Sequence, residues 1–180
     1  MTFRRVAYIQ IHCEPAGQPR AMPVKSGSFG RMVMDWKFRD GPHKGEYRPA
    51  YHFRQAVKTA FMLAAEPAPL SCAVKLTVWA YFTRPKSMMG PKYPDGPFPK
   101  LTKPDADNIL KLVQDGINDA GLFWTDDCIV FEPHLIRRWA AKDSAPCAWV
   151  LVEAAEDEQG ELFGCASACN ASATGSVEGN

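Results

Sequence analysis

The densest group of residues able to do chemistry lies between Lys103 and Val130, in the segment KPDADNILKLVQDGINDAGLFWTDDCIV. Six carboxylates fall there, from Asp105, Asp107, Asp115, Asp119, Asp126 and Asp127, and past Lys103 only Lys111 opposes them. A hard divalent cation such as Mg2+ takes oxygen ligands and keeps several waters. Two or three carboxylates converging from different elements can hold one or two such ions. A pair of metals ~4 Å apart stabilises both the attacking and the leaving oxygen of a phosphodiester displacement. A lysine beside them, here Lys111, can orient the attacking water or balance charge in the transition state. A plainer reading has Asp107 as a helix cap, Asp115 and Asp119 facing solvent, and Asp126-Asp127 in a turn. A bare D-x-D does not separate the two.

The element that must position these groups is a helix. Asp107 or Asn108 suits its N-cap, since a side-chain oxygen there can accept from an unpaired backbone N–H of the first turn. Pro104 disfavours a helical Lys103, so the helix cannot start much earlier. Ile109, Leu110, Leu112, Val113, Ile117 and Ala120 recur at helical spacing as one buried face. Asp107, Lys111 and Asp115 stack on the opposite stripe at i, i+4 and i+8. Gly121 is a natural terminator. Asp126 and Asp127 follow a turn and precede a strand starting near Ile129. Because about fourteen helical residues span roughly 21 Å, Asp127 meets Asp105 and Asp107 only if the following strand runs back along the helix or beside the strand preceding it.

The net charge of +1 conceals an uneven distribution. Residues 1–104 carry 17 Lys and Arg against 6 Asp and Glu, whereas 105–127 carry 1 against 6 and 153–180 none against 6. A basic body around an acidic pocket suits a nuclease, since the body neutralises phosphates and bound cations invert the pocket's sign. A solvated basic surface with no partner is the alternative. No apolar run is long enough to span a membrane, and the N-terminus lacks the pattern of a secretory signal. A cytoplasmic protein is expected. The six cysteines form no C-x-x-C pair and have no histidine at zinc-finger spacing, which points away from a structural zinc.

Along the chain, Val6 to Ile11 reads as a first strand, central in its sheet because it shows little polar alternation. Gln18-Pro19-Arg20 then leads into a long basic, Gly-rich loop to about Arg48. Its interleaved cations and rings, among them Trp36, Phe38 and Tyr47, suit a surface that tracks a nucleic-acid backbone; a hairpin whose aromatics simply pack is the alternative. A helix runs from Pro49 to about Ala65, with His52, Arg54 and Lys58 on a polar face read as turned to DNA. Cys72 to Phe82 alternates like a strand with one face in the core. Thr83 to Lys103, rich in Pro, Gly and Lys, reads as a semi-rigid basic loop without helix or strand. It carries Arg84, Lys86, Lys100 and Lys103 towards the acidic pair. Cys128–Arg138 and Ala148–Ala154 read as a closing antiparallel pair. The last stretch, 156–180, is acidic and then rich in Gly, Ala and Ser, and is expected to be disordered.

K-P-D-A-D-N-I-L-K, then Asp115, then G-L-F-W-T-D-D resembles the signature of the RusA-like Holliday junction resolvases, small endodeoxyribonucleases of bacteria and prophages. The match is specific over about thirty residues. Gly17 to Arg20 and Arg84-Pro85-Lys86 resemble further turns of that family more loosely. The resemblance implies an α+β fold, a small mixed sheet packed with two main helices and carrying long basic loops. It implies an endonuclease domain over 1–155 that cuts four-way DNA junctions as a homodimer with Mg2+, Mn2+ substituting. Carried over residue by residue, it makes Asp105, Asp107 and Asp127 the catalytic metal ligands and Lys111 the supporting lysine. Arg20, Arg84, Lys86, Lys100 and Lys103 become DNA contacts. Two other readings stand beside it: a junction-binding module that has lost catalysis, and a metal-dependent phosphohydrolase acting on small nucleotides. The second leaves most of the positive surface unused.

Overall fold

The protein is described by a computed structural model that covers residues 2–156 apart from 20, 27–28, 35, 39–40 and 65–68. In chain order the elements are β1 (Thr2–Ile11), β2 (Ala21–Ser26), β3 (Phe29–Met34), α1 (Pro49–Leu63), β4 (Val74–Phe82), β5 (Phe98–Pro99), α2 (Ala106–Ala120), β6 (Val130–Trp139) and β7 (Cys147–Glu156). Short 3-10 turns occupy Lys86–Met88 and Asp127–Ile129. Five strands form one sheet in the order β1-β7-β4-β6-β5, and β2 pairs with β3 as a separate hairpin. The architecture is α+β, as expected.

The strand at the centre is β4, not β1. Its residues alternate strictly, with Val74, Leu76, Val78, Ala80 and Phe82 buried. That makes β4 the strand that gains most from neighbours on both sides. It pairs with β6 in parallel and with β7 antiparallel. The expected β6–β7 hairpin therefore does not form. A parallel neighbour requires a crossover of a dozen residues or more, usually a helix, and α2 supplies it. With β6 parallel to β4, the chain must pass over β4 to place β7 on its far side. At one edge β1 pairs only with β7, and its apolar run reflects half-burial on two faces: Tyr8 is exposed yet stacks on Trp149, with ring centroids 4.8 Å apart.

Both helices pack on one face of the sheet, where Phe53, Val57, Phe61, Leu112, Val113 and Ile117 join Val74, Leu76 and Val78 of β4 in the main core, and Ala80 and Phe82 pack with Ile109 in a second cluster. The helices approach closely at Gly116, where an added Cβ would sit 2.8 Å from Val57 Cγ1 and 3.2 Å from the Arg54 carbonyl oxygen. This contact fixes Arg54 of α1 opposite the polar side of α2. Among the described residues no helix is long and apolar enough to cross a membrane. Two loop expectations change. The stretch after β1 contains the β2–β3 hairpin, and 83–103 contains a 3-10 turn and the two-residue β5, which pairs with the end of β6.

Candidate active site

The start of α2 presents two carboxylates, Asp105 and Asp107, that no side chain among the described residues pairs with. The N-cap is Asp105, two residues earlier than the sequence indicated; its backbone oxygen accepts from Ile109 N at 3.3 Å and its side chain makes no capping bond. Asp107 lies in the first turn, where the positive end of the helix dipole favours an anion. Both are exposed, and neither makes a salt bridge among the described residues. The turn is clamped from three sides. Gln18 N donates to the Asn108 carbonyl at 3.1 Å, and Gly17 lies so close to Pro104 that a Cβ would come within 2.6 Å of the proline's own. From β6, Arg137 Nη1 donates to the carbonyls of Pro104 at 2.7 Å and Thr102 at 3.3 Å. Sequence reasoning missed Arg137, because nothing local to it signals a partner 33 residues away.

Lower on the same helix the acids are tied down. Asp115 accepts from Gln18 Nε2 at 2.9 Å and lies 3.5 Å from Lys111 Nζ and 3.7 Å from Arg54 Nη1. Asp119 takes a two-pronged pair from Arg54, at 2.6 Å to Nε and 2.8 Å to Nη2. The Asp119 hydrogen bond is the largest influence on Arg54, holding its guanidinium pKa above the ordinary value against the cost of burial. Arg54, read above as turned to DNA, is instead a tie between the helices. The aromatics of 36–51 are also engaged: Tyr47 and Tyr51 stack at 4.0 Å, and Lys37, Arg48 and Arg54 sit over Tyr47, Phe38 and Trp36. The packing alternative describes this segment better than free rings awaiting bases.

Asp127 begins the 3-10 turn before β6 and is half-buried. Its neighbour Asp126 accepts from Cys128 N at 2.9 Å, which holds the Asp126 carboxyl below the usual range. This turn packs beside the C-terminal part of α2, which Trp124 also joins through its Nε1 bond to Asn118 Oδ1. Asp105 therefore caps the start of the 15-residue α2 and Asp127 follows its other end. The strand does run back along the helix, but the residue it returns to the Asp105 end is Arg137, not Asp127. Among the described residues no three His, Cys, Asp or Glu side chains form a group able to hold a metal ion. One chain sets Asp105 at the N-cap, places Asp107 and Lys111 on one stripe of α2, and leaves Asp127 beyond the other end of the helix.

The five cations expected to meet DNA divide sharply. Arg84 is 7 % exposed, and its guanidinium donates to the carbonyls of Ala140, Pro94, Asp95 and Gly96. Lys100 is 5 % exposed; its ammonium donates to Thr102 Oγ1 and the Lys103 carbonyl, both at 2.6 Å, and lies 4.1 Å from the Trp139 ring centroid. Burial, and then the charge of Arg137, push its pKa down. Neither side chain is presented to a nucleic acid. They shape the loop that delivers Asp105. Lys86 and Lys103 are exposed, and Arg20 lies outside the described residues.

A family model described as "Endodeoxyribonuclease RusA" matches residues 13–145, about three-quarters of the chain. No curated protein matches it.

Proposed function

The chain belongs to the RusA endodeoxyribonuclease family, phosphodiester hydrolases acting at Holliday junctions, and from that premise we propose that it resolves four-way junctions with Mg2+ through paired cuts by a homodimer. The observation that carries this reading is the unclaimed pair Asp105 and Asp107 on the clamped first turn of α2. In a chain where Asp115 and Asp119 have basic partners, two exposed acids without any among the described residues, on a rigid support, are a site kept open. The family is generally divalent-metal dependent, and the donors fit: carboxylate oxygens with room for retained waters are what Mg2+ takes, and Mn2+ can substitute. Asp105, Asp107 and Asp127 are the proposed ligands. Bound there, the cation supplies positive charge to the oxygens of the phosphodiester being displaced.

The remaining work belongs to side chains. Lys111, one turn beyond Asp107 and steadied by Asp115, sets a positive charge beside the scissile phosphate. Exposed Lys86 and Lys103 neutralise backbone phosphates on the approach, a role Arg20 shares. Gly17, Gln18 and Arg137 hold the turn still so that the carboxylates need no reordering when DNA arrives. The endonuclease domain spans residues 1–155, with 156–180 as a tail, and the setting is cytoplasmic. A junction-binding module without catalysis is the competing account. Cleavage of a four-way junction in Mg2+, against EDTA and against the Asp107→Asn variant, decides. The proposal expects cutting only by the wild type with metal, and a loss of at least about 100-fold in the variant. Intact junctions after incubation with metal-loaded wild type that binds them would favour the inert module.

A further inference from the structure

On the face of the sheet that carries no helix, β4 and β7 set Trp79 against Trp149 and Tyr81 against Cys147. Beside them, between the β6–β7 turn and the loop before β5, lies a cavity of about 220 Å³, open on one side. Tyr81, Trp149, Cys147, Pro97, Ala140 and Ala145 line it, and no charged side chain does. Its volume exceeds the roughly 150 Å³ that accepts a benzene ring in a protein interior. The walls are tied to each other. Arg84 donates to the carbonyl of Ala140 on one side and to those of Pro94, Asp95 and Gly96 next to Pro97. Lys142 of the turn joins Asp95 twice, from its backbone N–H to the carbonyl at 3.0 Å and from Nζ to Oδ1 at 2.6 Å. Trp149 is backed by the stacked ring of Tyr8. A preformed apolar cleft with ring walls suits a planar ligand.

Two neighbours say which planar ligand. Arg138 is the register partner of Tyr81 on β6, so both project from the face that holds the cavity. It is exposed and makes no hydrogen bond or ion pair among the described residues. Arg137, next to it, points the other way, to the Pro104 carbonyl behind Asp105. The loop that walls the cavity at Pro97 reaches Asp105 eight residues later, at most about 26 Å of chain and within the reach of one DNA strand. We propose that this cavity takes an unstacked base of the strand leaving the acid pair, with Arg138 on the adjoining phosphate. The inference rests on the reading above that the protein acts on junction DNA. Ring walls stack on a base whatever its identity. An apolar protein side chain seated there would cover Arg138 without giving its charge a partner, whereas a nucleotide brings ring and anion together. The cavity therefore favours a crossover, where bases can leave the stack, over continuous duplex.

Cys147 reports on the cavity directly. Its alkylation by iodoacetamide is followed by mass spectrometry of its peptide, in EDTA so that nothing is cut. The full chain is measured alone and with a saturating four-way junction, an oligothymidine single strand or a duplex. Junction and single strand should slow the reaction severalfold, and duplex should not. Ala145→Trp fills the cavity from an exposed turn. It should melt like the wild type and bind junction and single strand at least about 5-fold more weakly, the lower end of what one stacked base contributes. Arg138→Ala should weaken the same binding and flatten its salt dependence. Equal alkylation with and without junction, or equal protection by duplex, overturns the inference. So does junction binding undiminished in a folded Ala145→Trp, or in Arg138→Ala. These results leave the nuclease reading standing while the wild type cuts junctions in Mg2+. Protection of Cys147 by junctions that the wild type leaves intact in Mg2+ overturns the nuclease reading and upholds the base site.

Discussion

The two ends of α2 treat the same residue type in opposite ways. Asp115 and Asp119, in the second half, are held by Gln18, Lys111 and Arg54 and lock α2 to α1 and to the loop after β1. Asp105 and Asp107, at the start, have no such partners among the described residues. The cations of the preceding loop divide likewise: Arg84 and Lys100 turn inward to carbonyl oxygens, while Lys86 and Lys103 face out. Charges that are tied build the support, and on the function proposed above the exposed ones are those that would meet ligand. A stability measurement should see only the first set, and a DNA or metal measurement mainly the second.

Arg84→Met gives the largest stability effect expected. It leaves up to four carbonyl oxygens in and around a proline-rich loop without their donor, so denaturant unfolding should show a loss of about 3 kcal/mol or more. A loss below 1 kcal/mol would mean that water replaces the guanidinium and that the loop is not built around it. Next comes Gly116→Ala. An added methyl against Val57 forces the helices apart, at a cost of about 1–3 kcal/mol, read in the same assay. Lys86→Ala and Lys103→Ala should leave stability unchanged and weaken junction binding. Each should lower the slope of log affinity against log salt by about 0.9. Equal salt slopes for variant and wild type would remove these lysines from the DNA path. The smallest effect is set by Asp126. Its pKa is held below the unfolded value, so its contribution to the turn is present above pH ~4 and lost as pH falls through the lowered pKa. Protection of the Cys128 amide from exchange should fall with it, and should be flat with pH in Asp126→Asn.

Much of α2 is legible in the sequence, because apolar spacing and a glycine terminator are local signals; Gly121 does end the helix, at φ 70°. Its start was displaced by two residues, since the turn is fixed by Gln18 and Arg137 rather than by a capping side chain. The places of β4 and β1 were not legible, because strands with similar alternation compete for the centre and only the α2 crossover decides between them. Arg84 and Lys100 read as surface cations for a related reason. Composition shows a charge but not the carbonyls it will meet. One signal was available: irregular segments rich in proline contain carbonyls with no ladder partner, and a buried arginine is one way to satisfy them. The position of Asp127 depended on strand polarity, which the spacing between carboxylates does not encode.

The contrast between free and tied acids is tested most directly by measuring junction cleavage in Mg2+ and thermal unfolding in parallel for Asp107→Asn and Asp119→Asn. The account predicts that Asp107→Asn loses cleavage by at least about 100-fold and melts like the wild type. Asp119→Asn should melt a few degrees lower, about 2–4 °C per kcal/mol lost, and still cut. Normal cleavage by Asp107→Asn, or a variant that loses activity only because it unfolds, would contradict it.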